Sequence, residues 1–126
     1  MKRILVTGAT GFLGRHVVDA LLAQSIEESG DRQIRLLCRS SPPWANDPRI
    51  ETVTGDILDR HIVDQAVAGT DIVVHLAGLV TRDPSRSAEL FETHVEGTRN
   101  ICDAALKSGK PRILVASSSG TIALSR

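Results

Sequence analysis

The sequence predicts an α/β fold in which a parallel sheet is covered by helices on both faces. Three observations carry this reading. Short apolar runs alternate along the chain with segments of helical periodicity, the pattern of βαβ units. A glycine-rich stretch joins the first apolar run to the first periodic segment. The chain has 126 residues, which fits one domain at about 100–200 residues per domain.

The first strand is Ile4-Leu5-Val6, and Phe12, Leu13, Val17, Val18, Leu21 and Leu22 then recur at the spacing of one helix face. Ile34, Leu36 and Cys38 alternate as a second strand, and residues 53–57 read as a third, weaker one. A short helix follows, capped by Asp59 and apolar at Ile62, Val63, Ala66 and Val67. Residues 72–77 form a strongly apolar fourth strand. One long helix is expected over residues 87–108, with Leu90, Phe91, Val95, Ile101, Cys102, Ala105 and Leu106 inward. Gly109 ends it and Pro111 prevents its resumption, before a fifth strand at 113–116. Two long connections, 25–32 and 40–48, are expected to extend from the surface. Parallel strands joined by helices imply right-handed crossovers.

Composition narrows the function classes. Lys plus Arg and Asp plus Glu each number 15, giving zero formal charge. Such a surface has no basic surplus for a nucleic-acid backbone, and Trp44, Phe12 and Phe91 are too few for a base-stacking platform. Hydrophobic residues at 41% and charged residues at 24% argue for a globular domain. Cys38 and Cys102 show no C-x-x-C spacing, so neither a zinc site nor a disulfide framework is expected. The four histidines are scattered without clustered carboxylates, which argues against a metal site. His75 reads as a core histidine, and His16 and His61 as exposed ones. No apolar run approaches the roughly 20 residues of a membrane span. The apolar start meets Thr7-Gly8 too early for a signal peptide, so a cytoplasmic protein is expected.

The stretch Thr7-Gly8-Ala9-Thr10-Gly11-Phe12-Leu13-Gly14 lies between the first strand and the first helix. A tight strand-to-helix turn needs residues that accept positive φ. A pyrophosphate must approach the main chain closely, and the helix N-terminus offers it unpaired N–H groups and partial positive charge. Gly14 would let the helix pack tightly on the sheet. The spacing is G-x-x-G-x-x-G, which differs from the G-x-G-x-x-G dinucleotide fingerprint. No Gly-Lys-Ser/Thr follows, which excludes a P-loop.

This turn resembles that of the extended short-chain dehydrogenase/reductase family, whose members include epimerase/dehydratase-like enzymes. Other matches follow in order: Gly55-Asp56-Ile57-Leu58-Asp59 after the third strand, and His75-Leu76-Ala77-Gly78 closing the fourth. Val95-Glu96-Gly97-Thr98-Arg99-Asn100 matches the long helix, and residues 115–121 the fifth strand with its active-site serine. The dihydroflavonol-reductase-like and 3β-hydroxysteroid-dehydrogenase-like branches look most similar. The resemblance implies a doubly wound Rossmann sheet and an oxidoreductase moving hydride between nicotinamide and a small-molecule carbonyl or alcohol carbon. It implies cofactor contacts at Gly8, Thr10, Gly11, Phe12, Leu13, Gly14, Asp56, Ile57, Leu76, Ala77 and Gly78, with Asp56 facing the adenine amino group. It also allows a homodimer through the long helix.

Cys38 stands where the family carries the acidic residue that holds a ribose diol, and Arg39 follows it. Arginine suits a 2′-phosphate through charge-assisted bidentate bonds, so NADP(H) is expected, with NAD(H) the alternative. By the resemblance, Ser118 fits the catalytic serine if Gly120-Thr121 anchors the match, and Ser119 fits if the triple serine does; Ser118 is the one expected. The family's Tyr-x-x-x-Lys is missing, since the sequence contains no tyrosine. The chain is therefore expected to be the N-terminal part of a longer enzyme, inactive alone and prone to self-association through uncovered apolar surface. A NAD-dependent nucleotide-sugar epimerase or dehydratase, and a non-catalytic dinucleotide-binding or redox-sensing module, are the alternatives. A second departure is His94, where the family has asparagine; a helix-packing role is expected for it.

Overall fold

The computed structural model describes residues 2–24 and 32–117. Along the chain run β1 (Lys2–Thr7), α1 (Phe12–Gln24), β2 (Arg32–Cys38), β3 (Ile50–Thr54), α2 (Arg60–Val67) and β4 (Ile72–His75). Then come α3 (Ser87–Phe91), a π-helical turn (Glu92–Glu96), α4 (Gly97–Lys107) and β5 (Arg112–Val115). The five strands form one sheet in the order β3-β2-β1-β4-β5. Every neighbouring pair is parallel, which is the doubly wound arrangement the sequence predicts.

The period-two alternation of the strands builds both cores. Leu5, Leu37 and Val73 turn to one face and pack with Val63 and Val67 of α2 and Ile101 and Ala104 of α4. Ile4, Val6, Ile34 and Leu36 turn to the other face against Val18, with Leu21 and Leu22 of α1 beside them. Asp59 caps α2, its carboxylate accepting from the N–H groups of His61 and Ile62. At the other end of α2 stands the buried Arg35 of β2. Its Nη1 donates to the carbonyls of Ala66 and Ala68, each at 2.7 Å, and of Gln65 at 3.3 Å. Its Nε donates to Glu51 at 3.1 Å. The last carbonyls of a helix lack intrahelical partners and carry partial negative charge, so one guanidinium satisfies the end of α2.

Four expectations need correction. The third strand is Ile50–Thr54 and not 53–57. Gly55 N–H makes its bond to the Cys38 carbonyl, after which Asp56 draws the chain into a turn. The long helix is interrupted by the π turn at Glu92–Glu96, which shifts the inward face between its two halves. Phe91 and Val95 are therefore exposed. Leu106 also faces solvent, because the buried stripe of α4 runs through Gly97, Asn100, Ile101, Ala104 and Ala105. Finally, the 40–48 connection lies against the body. Pro42 is buried, Trp44 packs on the α1-side core, and its indole N–H donates to Asp19 at 3.0 Å. Burying an indole is favourable when its N–H keeps a partner.

Candidate functional site

The chain leaves β1 toward β2 and β3, then returns to place β4 and β5 on the other side. The connections at the C-terminal ends of β1 and β4 thus diverge, and a doubly wound sheet opens a crevice at that point. A cleft of about 350 Å³ lies there. Thr7–Gly11, residues 37–39, residues 55–58 and residues 76–79 line it, with Glu89 and Thr93 from the helical segment.

The three motif glycines serve different ends. Gly8 has φ +72°, and a Cβ on it would stand 2.6 Å from the Ala77 nitrogen and the Leu76 carbonyl carbon. It is glycine because the β1 turn passes against the end of β4. A Cβ on Gly14 would run into the Gly8 carbonyl oxygen and stand 2.7 Å from the Ala9 Cα. Gly14 therefore packs α1 against the turn itself, where the sequence reading had the sheet. Gly11 has no positive φ, and its Cβ would meet only the Gly8 carbonyl oxygen, at 3.3 Å. The fold asks less of Gly11 than of Gly8 or Gly14, since the Gly8 carbonyl would have to give by only a few tenths of an ångström, and Gly11 lines the cleft. Its missing side chain leaves main chain bare at the start of α1, the cradle a diphosphate needs.

A buried hydrogen-bond relay fixes the cleft wall. Thr7 Oγ1 accepts from the amides of Leu76 and Ala77, both at 3.1 Å. Its own proton then goes to His75 Nδ1 at 2.7 Å, so Nδ1 is the bare nitrogen and Nε2–H donates to Thr98 Oγ1 at 2.9 Å. Burial lowers the His75 pKa below its usual value, in keeping with a neutral ring. His75 is thus a satisfied core histidine, as expected, and His16 and His61 are exposed. Asn100 Nδ2 donates to the Ile57 carbonyl at 3.0 Å, tying α4 to the turn after β3.

Charge gathers at one side of the cleft. Arg39 is exposed at the end of β2, and among the described residues no carboxylate lies within 4.0 Å of it. Glu89 shares the cleft. Two hydrogen bonds from Arg86, at 2.8 and 2.9 Å, hold its carboxyl below the usual carboxylate range, and the charge of Arg39 lowers it further. Asp56 also lines the cleft and accepts from the Leu58 amide at 2.9 Å. Burial pushes the Cys38 thiol up, so the position after Leu37 offers an uncharged group.

The structure brings Gly8, Thr10, Gly11, Arg39, Asp56, Ile57, Leu76, Ala77 and Gly78 together in this cleft. Phe12, Leu13 and Gly14 do not line it, and the Phe12 side chain is 86% exposed. Ser118 and Ser119 lie outside the described residues. Sequence reasoning missed Glu89 and Thr93, which sit on a helix facing the cleft and carry no motif of their own. Among the described residues no group of three His, Cys, Asp or Glu could hold a metal ion. None of the described helices is long and apolar enough to cross a membrane.

Comparison with known proteins agrees with this geometry. The chain is 38% identical over 121 residues to human (Homo sapiens) 3 beta-hydroxysteroid dehydrogenase type 7, covering 91% of this chain and 32% of that protein. It is 38% identical over 117 residues to the ceramide reductase of Caulobacter vibrioides, covering 90% and 34%. A solved structure of Agrobacterium tumefaciens uronate dehydrogenase, a variant complexed with NAD, superposes with a TM-score of 0.78 at 36% identity, covering 94% of this chain and 41% of that one. The chain thus spans about a third of the length of the curated relatives it matches. The model of the NAD dependent epimerase/dehydratase family matches residues 4–124, and this chain, with its glycine turn and switch-point cleft, belongs to that family.

Proposed function

We propose that the chain is the NADP(H)-binding portion of an oxidoreductase acting on a carbonyl or alcohol carbon of a small molecule. The observation that carries the reading is Gly11, a cleft-lining glycine that the fold requires less strictly than Gly8 or Gly14 and that a closely approaching diphosphate would. The first-turn amides of α1, at Phe12 and Leu13, have no intrahelical acceptor and would bind the anion. Gly8 and Gly14 hold that turn against Leu76, Ala77 and Ala9. The Asp56 carboxylate, already oriented by the Leu58 amide, would accept from the adenine amino group, with Ile57 beside it. Leu76, Ala77 and Gly78 would line the path toward the reacting ring. Ser118 would hydrogen-bond the substrate oxygen, by resemblance alone. Bound in this cleft, the dinucleotide would supply the hydride donor or acceptor.

Arg39 supports NADP(H). It is exposed at the cleft, Cys38 brings no negative charge to repel a phosphate, and Arg86 offsets Glu89. NAD(H) is the second reading, favoured by the NAD complex of the similar uronate dehydrogenase. Calorimetric titration of both oxidised dinucleotides into the wild type and Arg39→Ala separates the two. A charged hydrogen bond contributes about 1.5–3 kcal/mol, less at an exposed group. Loss of Arg39 should therefore weaken NADP⁺ by about tenfold and leave NAD⁺ within about twofold. Equal NADP⁺ affinity in the variant removes this role from Arg39.

A further inference from the structure

His94 sits in the π-helical turn, one residue after Thr93 of the cleft wall. Two independent contacts connect it to the loop that follows β4. Its Nε2 lies 2.8 Å from the Leu79 carbonyl oxygen and 3.1 Å from the Leu79 amide nitrogen. Its ring also fills the place of a missing side chain, because a Cβ on Gly78 would stand 2.6 Å from His94 Cε1. Gly78 and Leu79 both line the cleft. Gly78 has no positive φ that would call for glycine, and the three atoms nearest its Cβ all belong to His94.

We propose that His94 is a positioning residue for the cofactor cleft. By seating its ring on Gly78 and bonding the Leu79 peptide, it sets the wall formed by residues 78 and 79. One nitrogen serves one partner at a time. A protonated Nε2 donates to the carbonyl, and a bare Nε2 accepts from the amide. An asparagine side chain carries separate donor and acceptor atoms and is smaller, so it can keep the Leu79 bond while leaving room for a Cβ at 78. The size of residue 78 and the identity of residue 94 are therefore coupled: a side chain at 78 is compatible with a clamped loop only when residue 94 is not histidine. The functional half of this proposal rests on the dinucleotide reading of the cleft.

Four proteins test it: the wild type, Gly78→Ala, His94→Asn and the double variant. Thermal midpoints and dinucleotide affinities are measured on each. In Gly78→Ala the methyl displaces the imidazole and its bond to Leu79. Midpoint and affinity should both fall, the affinity by about fivefold for one lost hydrogen bond. His94→Asn alone should bind within about twofold of the wild type, and adding it to Gly78→Ala should restore both readouts to the His94→Asn level. Additive losses in the double variant would overturn the coupling, as would a Gly78→Ala protein with unchanged midpoint and affinity. Midpoints restored without affinity would show that the methyl blocks the ligand directly, which overturns the positioning role. A wild type that binds neither dinucleotide refutes the cofactor reading and the functional half together, while the midpoints still decide the clamp.

Discussion

Replacing Gly8 and Gly11 separately by alanine divides what the fold needs from what a ligand needs. At Gly8 the methyl meets backbone atoms of Leu76 and Ala77 at 2.6 Å, and φ is +72°. Left-handed backbone costs a non-glycine residue about 1–2 kcal/mol, and the backbone clash forces β4's end away from the turn. A combined loss of about 3 kcal/mol corresponds to a fall in midpoint of about 10 °C for a domain of this size. At Gly11 φ is not positive, and the only close atom is the Gly8 oxygen at 3.3 Å. The small shift this asks for is offset by the lower chain entropy of alanine in the unfolded state, about 0.4–1 kcal/mol. Gly11→Ala should therefore melt within a few degrees of the wild type and yet lose dinucleotide affinity by at least about tenfold, as one displaced anion contact implies. Differential scanning calorimetry and fluorescence titration read the two effects. A Gly11→Ala protein that binds either dinucleotide as the wild type does would refute the assignment of this glycine to the ligand.

Other consequences concern the buried polar groups. The His75 ring is held neutral, with its pKa below the usual 6.5. Between that folded value and about 6.5 the unfolded chain binds a proton that the folded chain does not. Stability should thus fall as pH drops below about 6.5, by up to about 1.4 kcal/mol per pH unit, with no contribution from this group above it. Urea midpoints at pH 7.5, 6.5 and 5.5 should show that component in the wild type and not in His75→Gln; equal slopes would contradict it. Arg35→Met leaves the last carbonyls of α2 without their donor and should cost about 2–4 kcal/mol. Denaturant unfolding that shows less than about 1 kcal/mol would mean water replaces the guanidinium. Glu89→Gln removes a negative charge that shares the cleft with Arg39 and should improve NADP⁺ affinity relative to NAD⁺ by about twofold to fivefold, an effect that salt suppresses. An unchanged ratio at low ionic strength would exclude Glu89 from cofactor choice.

Local signals located four of the five strands, because the burial of a parallel sheet on both faces writes unbroken apolar runs into residues such as Ile4–Val6 and Ile72–Val74, whereas the third strand carries no such run and lies three residues earlier than its pattern suggests. The glycine turn was legible for the same reason: a positive φ at Gly8 and a helix pressed on the turn at Gly14 exclude every larger residue. Features that depend on contacts distant in sequence were not legible. Arg35 reads as one more polar position of an alternating strand, and only the end of α2, some thirty residues on, explains its burial. The π turn follows helical residues and leaves helical residues behind it, so the 3.6-residue pattern drifts there and puts Phe91 and Val95 on the wrong face, while Leu106 lies beside the buried stripe of α4. Glu89 and Thr93 reach the cleft because α3 and the π turn supply part of its lining, a placement set by tertiary packing. Trp44 looked like part of a surface loop because its partner, Asp19, lies on α1.

Amide chemical shifts under titration test the central claim most directly. If diphosphate lies against bare main chain at the start of α1, adding NADP⁺ or NAD⁺ should move the Gly11, Phe12 and Leu13 amides most, in proportion to saturation. Shifts confined to other parts of the chain, or none at millimolar dinucleotide, would contradict it.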